Sequence, residues 1–234
     1  MRSFIVSTVC ALVVVASSPL VGSGKQAEGE EKVFSGGSTP EQALAYFADA
    51  MLKMDKKGLL ASCKGSITEM KVVAAMADFG QAVLAFKKKF IEAYGERAWK
   101  DFQDPMKGPK RWNARLNMPK PADVEKMKTQ KIKMKSAESA EFTVPNSLAP
   151  GKLAKVDGKW FVVASSLLPP RAKPKAFVRI MLKLAGVVAK YQKAIGHDGI
   201  SAVDIDAELG RAIAKNLLKR TSRKPHIFDI DKIK

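Results

Sequence analysis

The chain has 234 residues, 41 Lys and Arg against 23 Asp and Glu for a net charge of +18, 46% apolar residues, two Cys and two His. That composition excludes disordered and fibrous classes and places the chain among globular ones. The two His, His197 and His226, both near the C-terminus, are poor material for a His-based metal centre or a His-relayed nucleophile.

Arg2 precedes an apolar run from Phe4 to Ala16, followed by Ser17, Ser18, Pro19 and Val21-Gly22-Ser23. This is the order of a secretory signal peptide over residues 1–23, and Pro19 with the serines keeps the run below the roughly 20 residues of a membrane span. Export with cleavage after Ser23 is the expectation, with a mature chain that is periplasmic or secreted. Loss of Arg2 takes the net charge from +18 to +17 and leaves Cys63 as the one cysteine. A lone Cys forms no internal disulfide, so the domain depends on its core. In Leu59-Leu60-Ala61-Ser62-Cys63 the residue reads as a small buried hydrophobe; the competing reading, a catalytic thiol, needs a His beside it.

Residues 24–38 read as a flexible leader, with order beginning at Thr39. Thr39-Pro40-Glu41-Gln42 combines a capping hydroxyl, Pro at the first helical position and Gln three residues on, and predicts a reciprocal cap. Leu44, Phe47, Met51 and Leu52 then recur at helical spacing, and Asp55-Lys56-Lys57-Gly58 reads as the turn that ends the helix. A short helix through Leu59 to Cys63 follows. Ser66-Ile67-Thr68-Glu69 is a second capping box, opening a long helix closed by Gly95 near Tyr94. Gly80 inside its apolar stripe costs about 1 kcal/mol in helix propensity, which points to close approach by another element.

Pro105, Gly108, Pro109, Pro119 and Pro121 mark an irregular connection from Asp104 to Pro121. Ile132 and Met134 alternate with Lys131, Lys133 and Lys135, and Ala140, Phe142 and Val144 alternate with Glu141 and Thr143, the period of half-buried antiparallel strands. Asp157-Gly158 joins Leu153–Val156 to Trp160–Val163 as a hairpin. Four sequential antiparallel strands are therefore expected between Thr129 and Ser166. After Pro169-Pro170, the residues Phe177, Ile180, Met181, Leu184, Val187, Val188, Tyr191 and Ile195 give an apolar helical face. Ser201 caps a further helix carrying Ile205, Leu209, Ile213 and Leu217, so a helical hairpin is expected. The reading is α+β: N-terminal helices, one of them long, on a small antiparallel four-stranded sheet, then the helical hairpin. Its divisions are residues 39–168, the extension 169–219 and a basic tail 220–234.

The order of Thr39-Pro40-Glu41-Gln42-Ala43-Leu44-Ala45-Tyr46-Phe47, the Asp55–Leu60 turn into a short helix and the Val156-Asp157-Gly158-Lys159-Trp160 hairpin resembles exported bacterial members of the nuclear-transport-factor-2-like superfamily over residues 38–166. The resemblance implies a curved sheet wrapped on a long helix as a cone whose mouth takes a small apolar ligand, catalyses isomerisation or dehydration, or mediates dimerisation; fold alone does not choose among these.

No phosphate loop, nucleophile elbow, zinc-spaced Cys pair or His-Glu helix motif is present in the sequence. No cofactor, metal ligand set or catalytic residue is therefore assigned. Asp49, Asp55 and Asp78, with Tyr46 and Tyr94, are the acids and hydrogen-bond donors that a cone-type enzyme would draw on, and solvated surface carboxylates are the plainer reading. Charge says more. Ten basic residues lie between Pro105 and Lys135 against Asp123 and Glu125, and seven between Arg171 and Ile195 with no acid. Lys175, Arg179, Lys183 and Lys190 fall on one side of the helix there, as a site for an anionic polymer or membrane surface. Trp112 beside Lys110, Arg111 and Arg115 is too thin a stacking platform for nucleic acid. The expected protein is thus a non-enzymatic exported binding domain, with a small cofactor-free cone-type enzyme as the alternative.

Overall fold

The computed structural model describes residues 36–104, 121–144, 149–169, 171–218, 230 and 233. The expected signal segment, residues 24–35 of the expected leader, the connection 105–120 with Trp112 and five of the basic residues, and nearly all of the expected tail lie outside the described residues. In chain order the elements are α1 (Pro40–Lys53), α2 (Lys56–Ser62), β1 (Cys63–Lys64), α3 (Ile67–Gln103), α4 (Pro121–Thr129), β2 (Lys133–Ser136), β3 (Ser139–Phe142), β4 (Gly151–Val156), β5 (Lys159–Val163), a 3₁₀ turn (Ala164–Leu167), α5 (Pro174–Gln192) and α6 (Ala202–Leu218). The α+β reading holds.

Local chemistry sets the helix ends. Thr39 accepts from the Gln42 amide at 3.3 Å, but the Gln42 side chain reaches back to Ser38, not to Thr39, so the cap is displaced by one residue. Ser66 and Glu69 form the full box: the Ser66 amide donates to Glu69 Oε2 at 2.7 Å and the Glu69 amide to Ser66 Oγ at 3.3 Å. α1 ends one turn earlier than its glycine suggests. Met54, at φ 48°, is the left-handed cap, Asp55 caps α2 by accepting from the Lys57 amide, and Gly58 stands inside α2. The Met54 side chain lies where a Cβ on Gly80 would be, which identifies the close approach that Gly80 permits.

α3 is two helices joined at Gly95, whose φ of 83° and ψ of 164° break the helical path. Across 16 residues a straight helix would separate Phe86 and Phe102 by about 24 Å; their ring centroids are 5.8 Å apart. The segment beyond Gly95 therefore folds back, stacking Trp99 on Phe102 at 5.1 Å and setting it edge-on to Phe90 at 5.7 Å.

Among the described residues the sheet has five strands in the order β1-β5-β4-β3-β2, one more than the sequence suggests. The four expected strands pair antiparallel in sequence, while Cys63 and Lys64 leave the short helix to pair parallel with Val162 and Val163. Two residues carry no alternation, so nothing local announces them. Asp157 and Gly158, both at positive φ, make the β4–β5 turn. One residue row, Met134, Ala140, Leu153, Val162 and Cys63, runs across the inner face. All but Met134 are buried; Met134 is 51% exposed and all of β2 faces solvent, so its alternation does not correspond to a half-buried strand. Among the described residues β2 is the sheet's edge strand. The sequence also gives no sign of α4, which starts at Pro121 where the irregular connection was expected to end and buries Val124 and Met127.

Two apolar clusters share α3. Val73 and Ala77 join Leu44, Phe47, Leu59, Val124, Met127, Leu153, Trp160 and Val162 between the sheet and α1, α2 and α4. Val72, Val83, Phe86, Phe90 and Trp99 join Phe177, Met181, Leu184, Val188 and Tyr191 of α5 and Ile205, Leu209 and Ile213 of α6. Each such buried side chain contributes about 1.5–3 kcal/mol. Ile230 and Ile233 pack on the second cluster, so part of the expected loose tail is held to the domain.

Candidate functional site

α5 opens on Pro174 at its first turn and buries Phe177, Met181, Leu184, Val188 and Tyr191, with Ile180 half-buried beside them. Its apolar spacing leaves one side outward. That side carries Lys175, Arg179, Lys183 and Lys190, continued by Lys193, all exposed, with Gly186, Ala189 and the 48%-exposed Leu182 among them. At 1.5 Å per residue, Lys175, Arg179 and Lys183 follow one another at about 6 Å along the axis.

α5 contains no acid, and among the described residues Lys175, Arg179 and Lys183 have no carboxylate partner. Like charges one turn apart repel by a few tenths of a kcal/mol per pair. The helix is held from elsewhere: Lys89 Nζ donates to the Gln192 carbonyl at 3.0 Å, a cation at the negative helix end. Tyr94 Oη donates to the Ile200 carbonyl at 2.9 Å and accepts from the Gly196 amide at 3.1 Å, fixing the α5–α6 turn to α3. Two of the three acids of α6, Asp204 and Glu208, are used locally. Glu208, fully buried, pairs with Arg211, and Asp204 accepts from the Ser201 amide and hydroxyl, which hold its carboxyl below the usual range.

The three acids considered for catalysis are each engaged in a separate contact. Asp49 pairs with Lys128, which also meets Glu125 at 3.1 Å; these bonds, Asp49 foremost, hold the Lys128 ammonium above its ordinary pKa. Asp78 pairs with Lys56 at 2.8 Å, Asp55 is a helix cap, Tyr46 is half-buried on α1 and Tyr94 serves the α5–α6 turn. Cys63 is buried and its thiol is pushed up to about 12 by desolvation, far from thiolate reactivity at neutral pH. Burial pushes one carboxyl, that of Asp206, up to about 6, but it stands on α6, outside residues 38–166. Among the described residues no group of three or more His, Cys, Asp or Glu has the arrangement of a metal site, and no helix is long and apolar enough to cross a membrane.

The fold assembles a second basic surface that a reading of charge blocks misses. Lys133 lies opposite Glu141, Glu141 opposite Lys152, and Lys64 opposite Val163, all on the outer sheet face. Lys159, opposite Val156, shares that face, and Lys64 Nζ sits 4.8 Å from the Phe161 ring centroid. These lysines are separated by up to 95 positions, so only strand register gathers them; outward parity was an available signal on the longer strands but not on β1. No family model, no curated protein and no solved structure matches this chain.

Proposed function

We propose that the chain is an exported, non-enzymatic binding domain that holds a linear anionic envelope polymer along the outer face of α5. The observation that carries this reading is the row Lys175, Arg179 and Lys183, exposed on a helix without acids and without a carboxylate partner among the described residues. A row along one axis matches a polymer with regularly spaced charges better than a flat array of lipid headgroups, and a rigid, pre-paid cationic surface raises the local concentration of such a partner. The signal-like order of Arg2, the apolar run and Val21-Gly22-Ser23 supports a partner outside the cytoplasm. Helices α1 to α3 ahead of an antiparallel meander support relating the first part of the domain to the nuclear-transport-factor-2-like superfamily.

Replacing Arg179, Lys183 and Lys190 with Gln tests the reading. The triple variant should melt with the parent and lose most of its retention on immobilised polyphosphate. Equal retention by parent and variant would refute the site.

A further inference from the structure

We propose that the free edge of β2 accepts an extended acidic polypeptide segment as a sixth strand. This surface is separate from α5 and does not rest on the polymer reading. β2 is the terminal strand, and among the described residues no segment pairs with its outer edge. Its four side chains, Lys133, Met134, Lys135 and Ser136, all face solvent.

Both faces of the sheet show what the next strand should carry. On the outer face the charges alternate across strands, Lys133 opposite Glu141 and Glu141 opposite Lys152, and Lys135 Nζ adds an ion pair to Glu141 at 2.9 Å. The hydrogen bond from Lys135, with the charges of Lys133 and Lys152, holds the Glu141 carboxyl below its ordinary range, so all three cations converge on it. The position beyond Lys133 continues that alternation only with a carboxylate. On the inner face the row Cys63, Val162, Leu153 and Ala140 is buried and ends on Met134, 51% exposed. An apolar residue beyond Met134 extends the core by one place. The fitting partner is therefore an extended segment alternating Asp or Glu with Val, Ile or Leu, added by main-chain pairing. Edge lysines are a common guard against self-association, and β2 carries two of them beside a register shift between Met134 and Ser136, so a second basic copy is disfavoured and an acidic strand is the complementary partner.

The probe is the blocked peptide Glu-Val-Glu-Val-Glu-Val-Glu, titrated into the protein with the amide resonances of residues 133–136 as readout. It should shift those amides and bind about tenfold more weakly to K133E/K135E, which should in turn take up the Lys-Val counterpart. A peptide with Pro at its central Val and Glu keeps most of the charge, cannot pair, and should lose binding to the unmodified protein. The R179Q/K183Q/K190Q variant should bind the acidic peptide as the parent does. Equal binding of the Pro peptide, which needs no mutant to fold, overturns strand addition. So does unchanged affinity of K133E/K135E, loss of binding in the α5 variant, or concentration-dependent pairing of the protein with itself through β2.

Discussion

Asp206 is the side chain whose environment opposes its charge. Desolvation alone raises its carboxyl to about 6 from an ordinary 3.8. A folded-state pKa above the unfolded one means that the contribution to stability is complete below about pH 4 and is lost as pH rises toward 6, because the unfolded chain ionises first. At neutral pH the folded protein carries a carboxylate that its surroundings disfavour. Asp206→Asn should therefore raise stability at pH 7 by on the order of 1 kcal/mol, a value discounted for a half-buried side chain screened by solvent. The gain should vanish at pH 4, as urea titrations at the two pH values would show. A gain independent of pH would assign the effect to packing. Cys63, with its thiol pushed to about 12, shows the same physics without a function attached: burial selects the neutral form.

The turn within α3 depends on one residue. Gly95 holds a backbone conformation, φ 83° and ψ 164°, that is essentially closed to other residues, and a Cβ there would meet no atom within 4 Å. The cost of Gly95→Ala is therefore backbone strain and not collision, about 1–3 kcal/mol. The substitution should also loosen Trp99 from Phe90, read as a red shift of its fluorescence before the main unfolding transition. An unchanged urea midpoint would mean that the fold-back does not need this glycine. The sequence marks Gly95 as a helix end, and it is one; what it does not mark is a second helix that returns on the first, since the aromatic contacts closing that turn join residues nine to sixteen positions apart. Caps, helix faces and the Asp157-Gly158 turn were legible because each is decided within a few residues. β1, α4 and the exposure of Met134 were not, because each follows from what lies beside it in space.

At the scale of the molecule, α3 divides the protein into a sheet-side core and a helical core, and each side presents cations outward: Lys64, Lys133, Lys135, Lys152 and Lys159 on the sheet, and the row of α5 on the other. The α5 row was legible in the sequence because helical period and the absence of acids coincide in one segment. The sheet face was not, because its lysines come from four strands. Against the self-repulsion of a net charge of +18 stand the two apolar clusters. The claim that α5 is built for a linear polyanion is tested most directly by the slope of log binding constant against log salt concentration for the protein on polyphosphate. With four contacts the parent should give a slope of about −3, and R179Q/K183Q/K190Q should give a slope near −1. Parallel slopes for parent and variant would contradict the assignment and leave the basic face of α5 a solvated surface.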